Sequence, residues 1–219
     1  MKMLKKAAAV LLAAAMSLVM LTACGGGSGS TTQYKLAKVF EGSEKTGKVY
    51  MEYIADLNGK DATVVNATST KGMYSKIAVP VNESTTYSME FVLNQSGFYG
   101  LGETQEGKKA AYLLTANDTY AQLNIAMPTQ ENLKGIKVAP EYKLNGATYY
   151  AEILESNGKS YAYCFDGDTL KYVVFTGNMG SGNQQVVGKV KKVDTTFDSS
   201  IDDKIALNGY TITAAGAQG

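Results

Sequence analysis

Residues 146–175 read GATYYAEILESNGKSYAYCFDGDTLKYVVF. Three runs rich in aromatic and β-branched residues, at 148–154, 160–165 and 170–175, are separated by Asn157-Gly158 and by Asp166-Gly167-Asp168. Both separators suit tight turns, because Asn, Asp and Gly tolerate positive φ and short polar side chains satisfy turn amides. Side chains alternate across a strand, so Tyr161, Tyr163 and Phe165 share one face while Ala162 and Cys164 share the other. The stretch predicts three antiparallel strands with a large aromatic face.

The same grammar extends upstream. Val49, Met51, Tyr53, Ala55 and Leu57 alternate with Tyr50, Glu52, Ile54 and Asp56, and Asn58-Gly59 supplies a hairpin turn. Strands are expected at 62–69 and 73–79, joined through Lys71-Gly72. After Pro80, Tyr87, Met89, Phe91 and Leu93 alternate with Ser88, Glu90 and Val92, and shorter strands fit 98–101 and 108–114. Downstream, a glycine-rich loop at 177–183 leads to a strand at 186–193. Helical spacing appears at 33–44, where Leu36, Val39, Phe40 and Ser43 recur at i, i+3, i+4 and i+7 ahead of Gly47. One or two short helices are expected at 117–133, with Pro128 ending or kinking them. The tail, 196–213, carries Phe197, Ile201, Ile205 and Leu207 before Gly209-Tyr210. The expected fold is α+β: a single curved antiparallel β-sheet, a half-barrel meander, with a few helices packed on its concave side.

The N-terminus carries a different message. Lys2, Lys5 and Lys6 precede 15 residues, Ala7 to Leu21, in which only Ser17 interrupts the apolar character. That length suits the apolar region of an export signal and falls short of the roughly 20 residues of a spanning helix. It ends in Leu21-Thr22-Ala23-Cys24, which resembles the lipobox of bacterial lipoproteins. The resemblance implies that Cys24 receives a diacylglyceryl group and becomes the first mature residue. Gly25-Gly26-Gly27-Ser28-Gly29-Ser30-Thr31-Thr32 then forms a tether with an r.m.s. span of roughly 15 Å. The expected organisation is a signal peptide at 1–23, a lipidated Cys and tether at 24–32, and one domain at 33–219. The expected location is the extracytoplasmic face of the cell membrane, anchored to it and not spanning it.

Composition narrows the chemistry. The chain has 21 basic residues, all Lys, against 20 acidic ones; removing the three lysines of the signal leaves 18 against 20, a net charge near −2. No basic patch suggests nucleic acid. There is no His, Arg or Trp. Without Arg no bidentate guanidinium clamp forms. Without His the Ser-His-Asp and Cys-His arrangements and most zinc sites are excluded. With Cys24 committed to lipid, Cys164 is the sole remaining thiol, read as a small buried strand residue. Asp166/Asp168 and Asp202/Asp203 are the carboxylate pairs, read as turn and helix-start chemistry before catalysis or Ca²⁺. The expectation is a non-enzyme with no cofactor and no metal site.

The order of features also resembles lipoproteins of the LolA/LolB-like fold, the fold of the periplasmic lipoprotein carriers. The residues that carry this are Leu36, Val39 and Phe40, then 47–53, then Asn145-Gly146-Ala147-Thr148-Tyr149-Tyr150-Ala151-Glu152. Also matching are 161–172 and the ending 197–210 with Asp202-Asp203. The resemblance covers nearly all of the mature chain through strand-and-turn patterns, and implies a half-barrel plugged by helices around an apolar cavity. The carriers hold lipoprotein cargo with an Arg near the cavity; this chain has none, and Cys24 would fix it to a membrane, so ferrying is not implied. Candidates for the cavity lining are Leu36, Val39, Phe40, Met51, Tyr53, Met89, Phe91, Tyr161, Tyr163 and Tyr172. The expected function is non-catalytic binding of a lipid or other apolar ligand by a monomer. The alternative is an interaction or adhesion lipoprotein with a plugged core, which recognises protein or glycan partners through loops such as 177–183.

Overall fold

β1 (Val49–Asp56) sets the frame: its odd residues Val49, Met51, Tyr53 and Ala55 are buried while Tyr50, Glu52 and Ile54 are half-buried. The computed structural model describes residues 34–56, 59–114, 135–156, 159–178 and 183–213. From β1 the chain meanders antiparallel through β2 (Asp61–Ser69), β3 (Gly72–Pro80), β4 (Thr86–Asn94), β5 (Gly97–Glu103) and β6 (Lys109–Leu113). A second meander runs through β7 (Lys137–Leu144), β8 (Ala147–Ser156), β9 (Lys159–Asp166), β10 (Thr169–Asn178) and β11 (Asn183–Asp194). β11 pairs antiparallel with β1, which fuses the two meanders. With β12 (Thr211–Thr213) added beside β6, the result is one open sheet of 12 strands, in the order β12-β6-β5-β4-β3-β2-β1-β11-β10-β9-β8-β7.

The sheet is mixed and not purely antiparallel as expected, because β12 pairs parallel with β6. The tail reaches β6 by crossing the sheet and not through a hairpin, so no tight turn forces the antiparallel direction. Along the way it forms α3 (Ser199–Ile205), which Asp198 caps by accepting a hydrogen bond from Ser200 N at 2.6 Å. Helical spacing at 33–44 resolves into two pieces, α1 (Lys35–Val39) and α2 (Ser43–Thr46), broken where Gly42 takes a left-handed conformation with φ 96°. Gly47 ends α2 as read from the sequence. The expected helices at 117–133, the glycine-rich loop residues 179–182, and the signal, tether and Cys24 lie outside the described residues.

The helices do not gather on one side. α1 puts Leu36 and Phe40, each 1% exposed, against Met51, Val64, Ile77, Tyr163 and Phe165. α3 puts Ile205, fully buried, against Tyr74, Val92 and Tyr99, which stand on the opposite pleat. The reason is the second apolar set on β2–β5 (Val65, Ala67, Tyr74, Val92, Tyr99), which needs its own cover. Each fully buried aromatic or aliphatic side chain contributes about 1.5–3 kcal/mol of transfer free energy, so both faces carry substantial stabilisation. Two ion pairs hold α3, one at its middle and one in its last turn: Lys48 Nζ donates to Asp202 Oδ2 at 2.5 Å, and Lys204 Nζ donates to Glu90 Oε2 at 2.6 Å.

α1 is held differently. Five residues cannot sustain a helix alone, and Tyr34 at its N-cap offers no side-chain cap. Glu152, a fully buried residue of β8, supplies one instead: its Oε1 accepts from Lys35 N at 2.7 Å and its Oε2 from Leu36 N at 2.8 Å. Tyr150 OH adds a third hydrogen bond at 3.2 Å. A carboxylate on the two leading amides also meets the positive end of the helix dipole.

Candidate functional site

On the α1 face, Leu36, Phe40, Met51, Tyr53, Tyr161 and Tyr163 are at most 5% exposed and lie in one packed core. Val39, Met89 and Phe91 are half-buried against that core. Nine of the ten proposed cavity residues are thus brought to one face, six of them sealed. Gly188 makes this packing possible: a Cβ there would sit 2.5 Å from the Tyr53 ring. Burial raises the hydroxyl pKa of Tyr53, Tyr161 and Tyr163. Tyr161 OH has no hydrogen-bond partner among the described residues.

Tyr172, the tenth, stands on the other face. β10 pairs with β9 through Leu170↔Phe165 and then Tyr172↔Cys164, a register shift that leaves Lys171 as the extra residue. Such a bulge reverses the alternation beyond it, so Leu170 faces α1 and Tyr172 does not. Its ring packs edge-on to Tyr149, with centroids 5.4 Å apart at 70°. Cys164 lies on this same side, buried with Ala151, Ala162 and Val174, and burial pushes its thiol up to about 12.

A groove of about 660 Å³ opens beside Tyr172. Its floor runs across three strands in register, Ile54 of β1, Lys189 of β11 and Tyr172 of β10. β11 carries a second bulge. Glu52 pairs with Lys192 and Tyr53 with Val190, so Lys191 is the extra residue and also lines the groove. At one end stand Asp56 and Asp61, directly opposed across β1 and β2. Asp56 Oδ1 accepts from Gly59 N at 2.7 Å. Gln185, Val186 and Val187 complete the β11 side. Asn145 reaches in from the β7–β8 turn, where Asn145 (φ 51°) and Gly146 (φ 78°) both take positive φ. Among the described residues, Lys189 and Lys191 make no ion pair.

Three of the four carboxylates flagged from sequence are engaged elsewhere. Asp168 pairs with Lys35 at 3.1 Å, and the hydrogen bond and charge of that lysine hold its carboxyl below the usual range. Asp202 takes Lys48, and Asp203 accepts from Asn208 Nδ2 at 2.8 Å. Among the described residues no group of three His, Cys, Asp or Glu side chains is placed to hold a metal ion. No described helix is long and apolar enough to cross a membrane.

The groove residues other than Tyr172 escape a reading of the sequence. One signal is available: in 186–193 apolar alternation through Val186, Gly188 and Val190 slips by one at Lys191-Lys192 before Val193, as a bulge requires.

No protein-family model and no curated protein matches the chain. Among solved structures it is similar to an uncharacterized conserved protein from Thermus thermophilus, with 7% identity and a TM-score of 0.40 over 83% of this chain and 99% of that one. It is similar to PNGF-II with 12% identity and a TM-score of 0.32 over 77% of this chain, and spans only 31% of PNGF-II. Scores of this size establish neither a common fold nor a common function.

Proposed function

We propose that this chain is a lipid-anchored extracytoplasmic binding protein, held to the membrane through Cys24, that recognises its ligand without catalysis on the α3 face of its sheet. The carrying observation is the pair of bulges in adjacent strands, which direct Tyr172 and Lys191 into one open groove. Bulges interrupt pairing and re-aim side chains, and are frequent beside functional sites. The six sealed residues of the α1 face argue in the same direction, since a core filled by Leu36 and Phe40 leaves recognition to the surface. The lipobox, the apolar run before it and the Gly/Ser tether support the anchor.

The anchor is tested by expressing the full chain in a bacterial host with labelled palmitate. The wild type is expected to take up label and sediment with membranes, and Cys24→Ala to do neither. Processed, membrane-bound Cys24→Ala would sink the reading.

A distinct observation favours a second reading, an apolar ligand. On the α1 face of β4 and β5, Tyr87 is 55% exposed and Met89, Phe91 and Phe98 are only half-buried, beside Gly100 and Gly102, over which the side chains of Leu114 and Tyr112 lie. Native mass spectrometry of the anchored protein after exchange from a membrane extract decides it. A reproducible non-covalent lipid adduct supports the apolar ligand, and a clean mass removes it.

A further inference from the structure

We infer that the groove beside Tyr172 binds a neutral saccharide; this deepens the surface-recognition reading above and rests on it. The lining carries two carboxylates, Asp56 and Asp61, and two lysines, Lys189 and Lys191, so it has no net charge. An anion would meet the carboxylates, and a cation would meet the lysines. An apolar molecule would strip water from charged groups that it could not hydrogen-bond, at a considerable cost. A polyhydroxylated ring suits all of them, because every hydroxyl both donates and accepts.

The shape agrees. A sugar ring has an apolar C–H face and a polar rim. Tyr172, braced by the edge of Tyr149, and Ile54 offer an apolar floor. Planar carboxylate and amide groups of Asp61, Asn145 and Gln185 can each reach two neighbouring hydroxyls. About 660 Å³ lies inside the range of roughly 300–1,000 Å³ typical of small-ligand clefts. The opposed Asp56↔Asp61 pair is also a local electrostatic conflict. Like charges directly across a strand pair destabilise it, and such broken rules cluster at functional sites.

The experiment uses the intact lipidated protein in nanodiscs and ligand-observed saturation-transfer NMR. The probes are maltose, cellobiose, chitobiose and their trisaccharides, with dialanine and inorganic pyrophosphate as zwitterionic and anionic comparators. At least one saccharide is expected to receive saturation, with a Kd that changes less than about twofold between about 50 and about 500 mM salt, since the ligand is uncharged. Tyr172→Ala is expected to weaken binding at least tenfold. Gln185→Ala and Asp61→Asn, both at exposed positions and harmless to folding, should weaken it several-fold, and Lys108→Ala, in the distant β5–β6 turn, not at all. Saturation of no saccharide, or of dialanine or pyrophosphate alone, overturns the inference. So does saccharide binding that Tyr172→Ala, Gln185→Ala and Asp61→Asn all leave unchanged. Acylation and membrane retention measured on the same preparations separate this failure from failure of the anchor.

Discussion

On the α1 face Met51, Tyr161 and Tyr163 are wholly withdrawn from solvent, whereas on the opposite pleat of the same sheet Ile54, Tyr172 and Lys189 line an open groove. The strands supply both faces, so backbone pairing does not explain the contrast. What differs is how each conflict is resolved. On the α1 face the buried charge of Glu152 is matched to two helix amides and a tyrosine hydroxyl. In the groove, Asp56 and Asp61 oppose each other and two lysines stand without ion pairs among the described residues. On one face a buried carboxylate is matched by protein donors; on the other the charged side chains Asp56, Asp61, Lys189 and Lys191 stand exposed to solvent.

The contrast is broken most severely at Glu152. Glu152→Ala leaves the amides of Lys35 and Leu36 buried without acceptors, at about 3 kcal/mol in total. α1 then loses its N-terminal anchor, and Leu36 and Phe40 lose their fixed seat. Denaturant unfolding followed by circular dichroism should show a lower midpoint, with a Tm fall of roughly 6–12 °C. A change within about 0.5 kcal/mol, the scatter of ordinary surface substitutions, would mean that α1 is held by its apolar side chains alone. Next in size is Gly188→Ala, whose Cβ meets the Tyr53 ring at 2.5 Å. Overpacking of this kind costs about 1–3 kcal/mol. If Tyr53→Leu, which removes the ring, restores much of the loss in a double-mutant cycle, the collision is the cause.

The α3 face yields smaller effects with a pH signature. Burial tends to raise the Glu90 carboxyl, but the hydrogen bond and charge of Lys204, aided by Tyr74 and Lys76, prevail and hold it below its ordinary value. Its folded pKa is therefore depressed. The stability it contributes is fully present above the ordinary Glu value of about 4.3 and is lost as pH falls through the folded value. Because the group is partly exposed, solvent screening limits the amount to about 0.5–1 kcal/mol. Glu90→Gln should flatten that part of the stability profile below about pH 4.3. An unchanged acid limb in the variant would show that α3 is docked by the burial of Ile205 and the hydrogen bond that Asn94 Nδ2 donates to Ile205 O at 2.7 Å, and not by the ion pair.

How much of this is legible in the sequence differs by face. The parity of Val49–Met51–Tyr53 and of Tyr161–Tyr163–Phe165 is readable because strict alternation is a local property of strands. β7 is not: it contains Pro140 and the exposed Lys137, Glu141 and Lys143, and it lies at the sheet edge, where a missing amide hydrogen costs nothing. Glu152 is visible as a charge among apolar neighbours, but its partners are 116 and 117 residues away. Tyr172 is assigned to the wrong face because Lys171 adds a residue to β10, and the continuous apolar run Tyr172-Val173-Val174-Phe175 has no alternation whose slip could mark the bulge, as Lys191-Lys192 does in β11. The groove draws on four strands and a turn, so no single window of sequence contains it.

The smallest effect has the opposite sign. Asp61 faces Asp56 directly, and like charges across a strand pair cost a few tenths of a kcal/mol. Asp61→Asn keeps the shape and removes the repulsion, so the folded chain should gain roughly 0.3 kcal/mol, a gain that fades as salt is added. The same substitution is expected to weaken saccharide binding. A residue kept for structure loses stability when changed, as at Glu152; a residue kept for recognition gains it while function falls. Unfolding midpoints of wild type and Asp61→Asn at low and high salt, with saturation transfer on the same samples, read both quantities together. A loss of stability without a loss of binding would place Asp61 with the structural residues and return the groove to ordinary surface.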